Sequence, residues 1–163
     1  MKHIENQKSK YHVLARALII DHDYILVAHC KGMANTFLPG GHAEFREGIR
    51  ASLSREIMEE LGQESIVRDY VGCVEAHFDY SEVFHQEINH LFIVELPTIN
   101  RNNNPESKED HLEFYWIPIE QMEEHNLQPY PIREVIKRYI HKESGPFWGT
   151  TLMEDLLENH RSE

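Results

Sequence analysis

The chain has 163 residues, with 28 acidic against 16 basic side chains (net charge −12), 40% apolar residues and only two cysteines, Cys30 and Cys73. That length fits one domain with a sizeable core, and the acidity excludes duplex nucleic acid or an anionic membrane surface as main partner, since both select basic patches. It leaves room for a phosphorylated small molecule, because bound cations invert a local field.

Two cysteines make no disulfide framework and fit free thiols in a reducing compartment. Residues 1–6 lack the apolar core of a signal peptide, and no run approaches the roughly 20 apolar residues of a membrane span. The expectation is a cytoplasmic protein forming a single domain over residues 1–163, with no membrane partner. The 12 histidines are scattered without paired metal spacing and read as surface or satisfied polar residues.

In chain order, Val13 to Ile20 and Tyr24 to Ala28 are short apolar runs separated by Asp21-His22-Asp23, the pattern of a strand hairpin. Phe37-Leu38 leads into Pro39-Gly40-Gly41, a loop whose glycines permit positive φ and close backbone approach. Ile49, Leu53, Ile57 and Leu61 recur every four residues, which predicts an amphipathic helix of about 12 residues. Gly62 is placed to end it. Ile66 to Tyr80 and Val83 to Leu96 read as strands joined by a turn near Tyr80-Ser81-Glu82. Residues 97–112 form a long polar loop, a kind of segment that is usually functional or mobile. Phe114 to Ile117 is a short strand. Ile132, Val135, Ile136, Tyr139 and Ile140 form a second helical stripe, with Pro131 a good first helical residue. Helices between and after strands imply an α/β fold with helices on both sides of a mixed sheet. Apolar residues continue through Phe147, Trp148, Leu152, Met153, Leu156 and Leu157. This apolar extension, about 143–163, either covers the domain's own core or buries against a second subunit as a homodimer.

The chemistry concentrates on the first helix. Glu56 and Glu60 stand four residues apart and Glu59 three from Glu56, so their side chains share a helical face. Like charges at that spacing repel, and a hard divalent cation such as Mg²⁺ or Mn²⁺, which takes oxygen ligands, reverses the sign. The alternative is a solvated acidic face.

Gly41, Glu47, Arg55, Glu56, Ile57, Glu59, Glu60 and Gly62 together match the pattern G-x5-E-x7-R-E-U-x-E-E-x-G-U, where U is a bulky aliphatic residue. This segment resembles the Nudix box, with Gln63 in place of the last aliphatic residue. Leu38-Pro39-Gly40-Gly41 is also similar to the family's lead-in. The resemblance implies an α/β/α Nudix sandwich. It also implies metal-dependent hydrolysis of a nucleoside diphosphate linked to another moiety, by attack of a metal-activated water on phosphorus. By the same resemblance Glu56 and Glu60 are the leading metal ligands. Glu59 is a further ligand or the water-activating base, and the Gly40 carbonyl is an added ligand. Arg55 holds Glu47 or a neighbouring carboxylate in a bidentate pair. Glu44, in the same loop, touches metal or substrate. Glu109, Asp110 and Glu113 are candidates for a late catalytic base, and Glu87 also lies where it can approach the metals. Tyr80 stands 17 residues past Gln63, where dinucleoside polyphosphate hydrolases carry a tyrosine, and is the substrate-binding candidate. Where ADP-ribose hydrolases carry a proline, this chain has Asp79. Two other readings are a catalytically weak nucleotide-binding or regulatory module, which has no need of so costly a carboxylate cluster, and an isopentenyl-diphosphate isomerase-like enzyme. The isomerase needs a catalytic cysteine in a segment that Ala28-His29-Cys30-Lys31 does not resemble.

Overall fold

The computed structural model describes residues 7–152. Nine strands and two helices follow one another as β1 (Lys8–Leu18), β2 (Ile20–Asp21), β3 (Tyr24–Cys30), β4 (Thr36–Phe37), β5 (Gly40–His42), α1 (Ile49–Leu61), β6 (Ile66–Tyr80), β7 (Val83–Glu95), β8 (Leu112–Pro118), α2 (Pro131–Ile140) and β9 (Trp148–Thr150).

The larger sheet has five strands in the order β5-β1-β7-β6-β9 and is mixed. β1 runs parallel to β7 and β6 parallel to β9, whereas β5 and β6 meet β1 and β7 antiparallel. The second sheet is built on β3, which pairs along its length with β8 and on its other edge with β2 and β4. Alternating side chains divide the interior in two. Ala15, Ala17, Leu26, Phe92 and Trp116 pack against Leu53, Ile57 and Leu61 of α1. Leu18, Ile25, Val27, Val74 and Leu91 pack against Ile132, Val135 and Ile136 of α2. Strands covered on both faces by helices are the expected α/β/α sandwich, and the period-two split within β3 is its direct signature.

The first expected hairpin is corrected. Val13–Leu18 belongs to the long β1 strand, which runs between β5 and β7. Only Ile20–Asp21 turns back on β3, at Ile20↔Ile25 and Asp21↔Tyr24. Adjacency in the chain suggested the pairing, but the longer match of β1 with β7, eleven residues in register, prevailed. The β6–β7 hairpin forms as expected. Its turn residues Ser81 and Glu82 have φ of 50° and 63°, the left-handed geometry that suits the twist of a two-residue hairpin loop.

Helix α1 begins and ends as the spacing predicts. Gly62 adopts φ 63° and donates its N–H to the Met58 carbonyl at 2.9 Å. In α2 the stripe is only partly buried, since Tyr139 and Ile140 are each 40% exposed at the helix end. Within the apolar extension, Phe147 packs on the α2 cluster and Trp148 opens β9 on the edge of β6. Met153, Leu156 and Leu157 lie outside the described residues.

Candidate functional site

The site is built where β5 squeezes between β1 and α1. A Cβ on Gly40, whose φ is 128°, would lie 2.1 Å from the Ala15 carbonyl oxygen. One on Gly41 would lie 2.5 Å from Glu56 Oε2. Only a chain without side chains passes between strand and helix here, which explains the paired glycines. The Gly40 N–H points into α1 and donates to Glu60 Oε2 at 3.1 Å.

Glu60 is 4% exposed, unusual for a carboxylate on a helix. Burial pushes its pKa up to about 8, against the pull of Arg16 and the Gly40 N–H, with Glu56 and Glu109 pushing further upward. Glu56, one turn earlier, is also raised, chiefly by burial. Arg55 gathers the remaining carboxylates. Its Nε and Nη2 grip Glu47 at 2.9 and 3.0 Å, and Nη1 donates to Glu56 at 2.9 Å and to Glu59 at 3.2 Å. Nη2 also donates to the His42 carbonyl at 3.0 Å, tying the glycine loop to the helix. The Glu47 carboxyl is held below its ordinary range by Arg55, and Arg55 is raised in turn, mainly by Glu47. The expected bidentate pair is therefore present, and its partner is Glu47.

All donors around this corner are oxygens, the set a hard divalent cation prefers. Two buried or half-buried carboxylates with raised pKa fit such an ion, which would stabilise the charged forms that burial disfavours. The missing Cβ at Gly41 leaves Glu56 Oε2 open toward the loop. Among the described residues no three His, Cys, Asp or Glu side chains stand close enough together to hold an ion as they are. Arg55 draws Glu56 and Glu59 to its own guanidinium, while Glu60 turns to Gly40. The Gly40 carbonyl accepts from Arg16 Nη1 at 2.9 Å, leaving its second lone pair unused by that bond.

The other expected residues scatter. Glu44 is exposed, 4.0 Å from Arg55 Nη2. Glu109 is the late carboxylate that acts on Glu60, and its segment is docked there by the Lys108 N–H on the Glu60 carbonyl at 2.7 Å. The Asp110 side chain is exposed, and its carbonyl accepts from Lys31 Nζ at 2.7 Å. Glu113 alternates with Leu112 and Phe114, so it faces away from the α1 side, and it meets His29 Nδ1 at 3.1 Å. The 97–112 loop, expected to be functional or mobile, carries several anchors. The Arg101 N–H donates to Asp21, Arg101 Nη1 donates to Asp23, and the Trp116 N–H donates to Asn104.

Sequence reasoning missed Arg16. From β1 it donates through Nη1 to the Leu38 and Gly40 carbonyls at 3.1 and 2.9 Å and through Nε to Asn89 at 3.4 Å, and it lies over the Phe37 ring. Nothing in its local sequence marks it, since only the β1–β5 and β1–β7 registers bring these partners together. Arg16 stands at one end of a cavity of about 560 Å³ on the α2 side of the large sheet, which Glu87, Phe78 and Tyr80 also line. Tyr80, 69% exposed, is at its rim.

The glycine loop, the Arg55-centred carboxylates and the α/β/α layers together define a Nudix protein. The sequence profile of the NUDIX domain matches residues 10–139, and the chain belongs to this family of hydrolases. No curated protein matches the chain by sequence. Among solved structures, a NUDIX hydrolase from Nitrosomonas europaea is 20% identical, with 85% of this chain and 94% of that one covered at a TM-score of 0.63. A UDP-X diphosphatase is 21% identical, covering 86% and 67%, with a TM-score of 0.61. An ADP-ribose pyrophosphatase from Streptococcus suis is 15% identical, covering 85% and 98%, with a TM-score of 0.55. These likenesses are likenesses of fold. No helix among the described residues is long and apolar enough to cross a membrane.

Proposed function

We propose that the protein is a divalent-metal-dependent pyrophosphohydrolase that cleaves a nucleoside diphosphate linked to a second moiety, by attack of water on phosphorus. The observation that carries this reading is Glu60, a buried carboxylate with its pKa pushed up to about 8 beside half-buried Glu56. A purely structural helix gains nothing from that arrangement, whereas a cation site does. Two fold neighbours, the UDP-X diphosphatase and the ADP-ribose pyrophosphatase, are named for substrates of this class.

Glu56, Glu60 and the Gly40 carbonyl are the groups to hold Mg²⁺ or Mn²⁺, with Glu59 joining them once released from Arg55. When bound, such an ion neutralises phosphate oxygens and makes water a nucleophile at neutral pH. Arg55 fixes the carboxylate orientations through the Glu47 clamp. Arg16 places a guanidinium between the cavity and the glycine loop, where it opposes the charge of a diphosphate. Glu109, whose charge acts on Glu60, takes the proton from the attacking water in this reading, with Glu59 as the other base candidate. A phosphate-release screen over nucleotide sugars, ADP-ribose, dinucleoside polyphosphates and nucleoside triphosphates, with Mg²⁺, Mn²⁺ or EDTA, tests the reading. Hydrolysis of at least one diphosphate-linked substrate that vanishes in EDTA is the expected result. Undiminished turnover in metal-free enzyme rejects the mechanism.

A further inference from the structure

The cavity on the α2 side of the sheet runs from Arg16, which the hydrolytic reading uses, to a floor and a wall that it does not use. The floor is Phe78, 45% exposed although it lies on a sheet. Its ring is parallel to that of the cross-strand residue His85 within 4°, with centroids 4.7 Å apart. His85 is fixed from the far side, since its Nδ1 lies 2.8 Å from His12 Nε2, and His12 Nδ1 in turn lies 2.9 Å from His42 Nε2. Three imidazoles from β1, β5 and β7 thus hold one aromatic face rigid, as a stacking surface requires.

The wall is set by which polar atoms remain free. Asn89 is saturated: its Oδ1 accepts from Arg16, and its Nδ2 donates to the Val74 carbonyl and to Glu87 Oε1 at 3.3 and 3.1 Å. Gln128 spends one amide N–H on Asn126 at 2.7 Å and keeps its oxygen and its second N–H. Glu87 is half-buried, and among the described residues its side chain makes only the bond from Asn89. An ionised carboxylate only accepts. Glu87 therefore asks its ligand for N–H donors, while the amides of Gln128 and Asn35 can serve either role. Ala76, directly opposite Glu87 on β6, leaves the space above it open.

Asn89, Glu87 and His85 lie on one face of β7, and alternate residues are roughly 7 Å apart along a strand. Arg16 meets the first of these and Phe78 the last, so the ladder spans about the length of a nucleoside monophosphate from phosphate to base. We propose that this cavity is a nucleobase subsite selective for an edge with adjacent N–H donors, as guanine presents, with the base lying on Phe78 and its donors meeting Glu87. The proposal deepens the pyrophosphohydrolase reading and relies on it only for the ligand being a nucleotide.

Isothermal titration of the full chain with GMP, IMP, AMP and UMP in EDTA tests it without any turnover. A bidentate base contact discriminates by about tenfold to a hundredfold. GMP binds tighter than AMP and UMP by that factor, and IMP, which keeps the ring N–H but lacks the amino group, falls between. Glu87→Gln narrows the GMP-to-AMP ratio to within about threefold, whereas Phe78→Leu weakens all four nucleotides and preserves the ratio, because stacking is indifferent to base identity. Equal affinities in the wild type, no nucleotide binding, or a guanine preference that survives Glu87→Gln each overturns the proposal. If Glu87→Gln fails to fold, as circular dichroism reports, the wild-type order GMP, IMP, AMP decides alone. Metal-dependent hydrolysis without base preference sinks the subsite and leaves the hydrolase reading standing; base-selective binding without hydrolysis does the reverse.

Discussion

The corner around α1 and the cavity across the sheet divide the work by charge. At the corner, Glu47, Glu56 and Glu59 surround one guanidinium, and Glu60 is buried at the cost of its normal acidity. In the cavity the surface is mostly aromatic, aliphatic and amide, with Arg16, Glu87 and Asp79 as its charged groups. The corner stores an electrostatic imbalance that the proposed cation would relieve, so its residues are expected to act as a coupled set. Asn89 and His85 in the cavity already have their partners and Glu87 keeps free acceptor capacity, so this region carries no comparable imbalance. Substitutions at the corner should therefore abolish chemistry, and those in the cavity should shift preference between ligands.

The sharpest test of that contrast is Glu60→Gln. The amide keeps the size and the acceptor for the Gly40 N–H but removes the ligand charge. Turnover should fall by about a hundredfold or more, on the scale of the several kcal/mol a metal supplies. The melting temperature should hold or rise, because a neutral side chain now fills a buried position. Unchanged turnover would make Glu60 a structural residue.

Glu109→Ala is expected to cost about 10² in kcat, the scale of a lost general base. Asp110→Ala and Glu113→Ala should stay within a few-fold of wild type at saturating Mg²⁺, since the first side chain is exposed and the second is turned toward His29. Three wild-type-like variants would move the base into the helix, to Glu59. Arg55→Lys keeps the charge but loses the two-pronged grip on Glu47, and groups that orient metal ligands typically cost about 10- to 100-fold in metal affinity or activity. An Arg55→Lys enzyme with unaltered Mn²⁺ dependence would reduce the clamp to a surface ion pair.

The smallest expected effect is on stability against pH. A carboxyl raised from 4.5 to about 8 on folding binds its proton more tightly in the native state. Its stabilising contribution is complete below pH 4.5, declines as pH rises toward 8, and is gone above it. Metal-free wild type should lose stability over that window, by a few kcal/mol at most from this group, and Glu60→Gln should lose less. Thermal melts in EDTA at pH 5.5 and 8.5 make the comparison. Equal losses in the two proteins would show that Glu60 ionises normally.

The two regions also differ in how far they can be read before folding. The corner lies within residues 40–62, where helical periodicity and i, i+4 spacing bring Glu56 and Glu60 together by geometry alone. Arg55 and Glu47 were legible only through the resemblance to the Nudix box, since Glu47 precedes the helix. What spacing does not show is depth. Glu60 is buried because β5 runs against the helix end, and that depends on the β1–β5 register. The cavity draws on β1, β4, β6, β7 and the segment before α2, so Arg16, Asn89 and Phe78 carry no local signal and meet only through strand pairing. The same long-range pairing overturned the expected first hairpin, because β1 finds a longer partner in β7 than β3 offers it.

The central claim is that the α1 carboxylates form a cation site, and direct binding tests it most simply. Mn²⁺ titrated into EDTA-stripped protein at pH 7, followed by calorimetry in buffers of different ionisation enthalpy, should bind and release protons, because Glu60 must give up its own. Glu60→Gln should weaken binding by at least about tenfold and release fewer protons, since the ligand charge has gone. Equal Mn²⁺ affinity and equal proton release in wild type and Glu60→Gln would contradict the account.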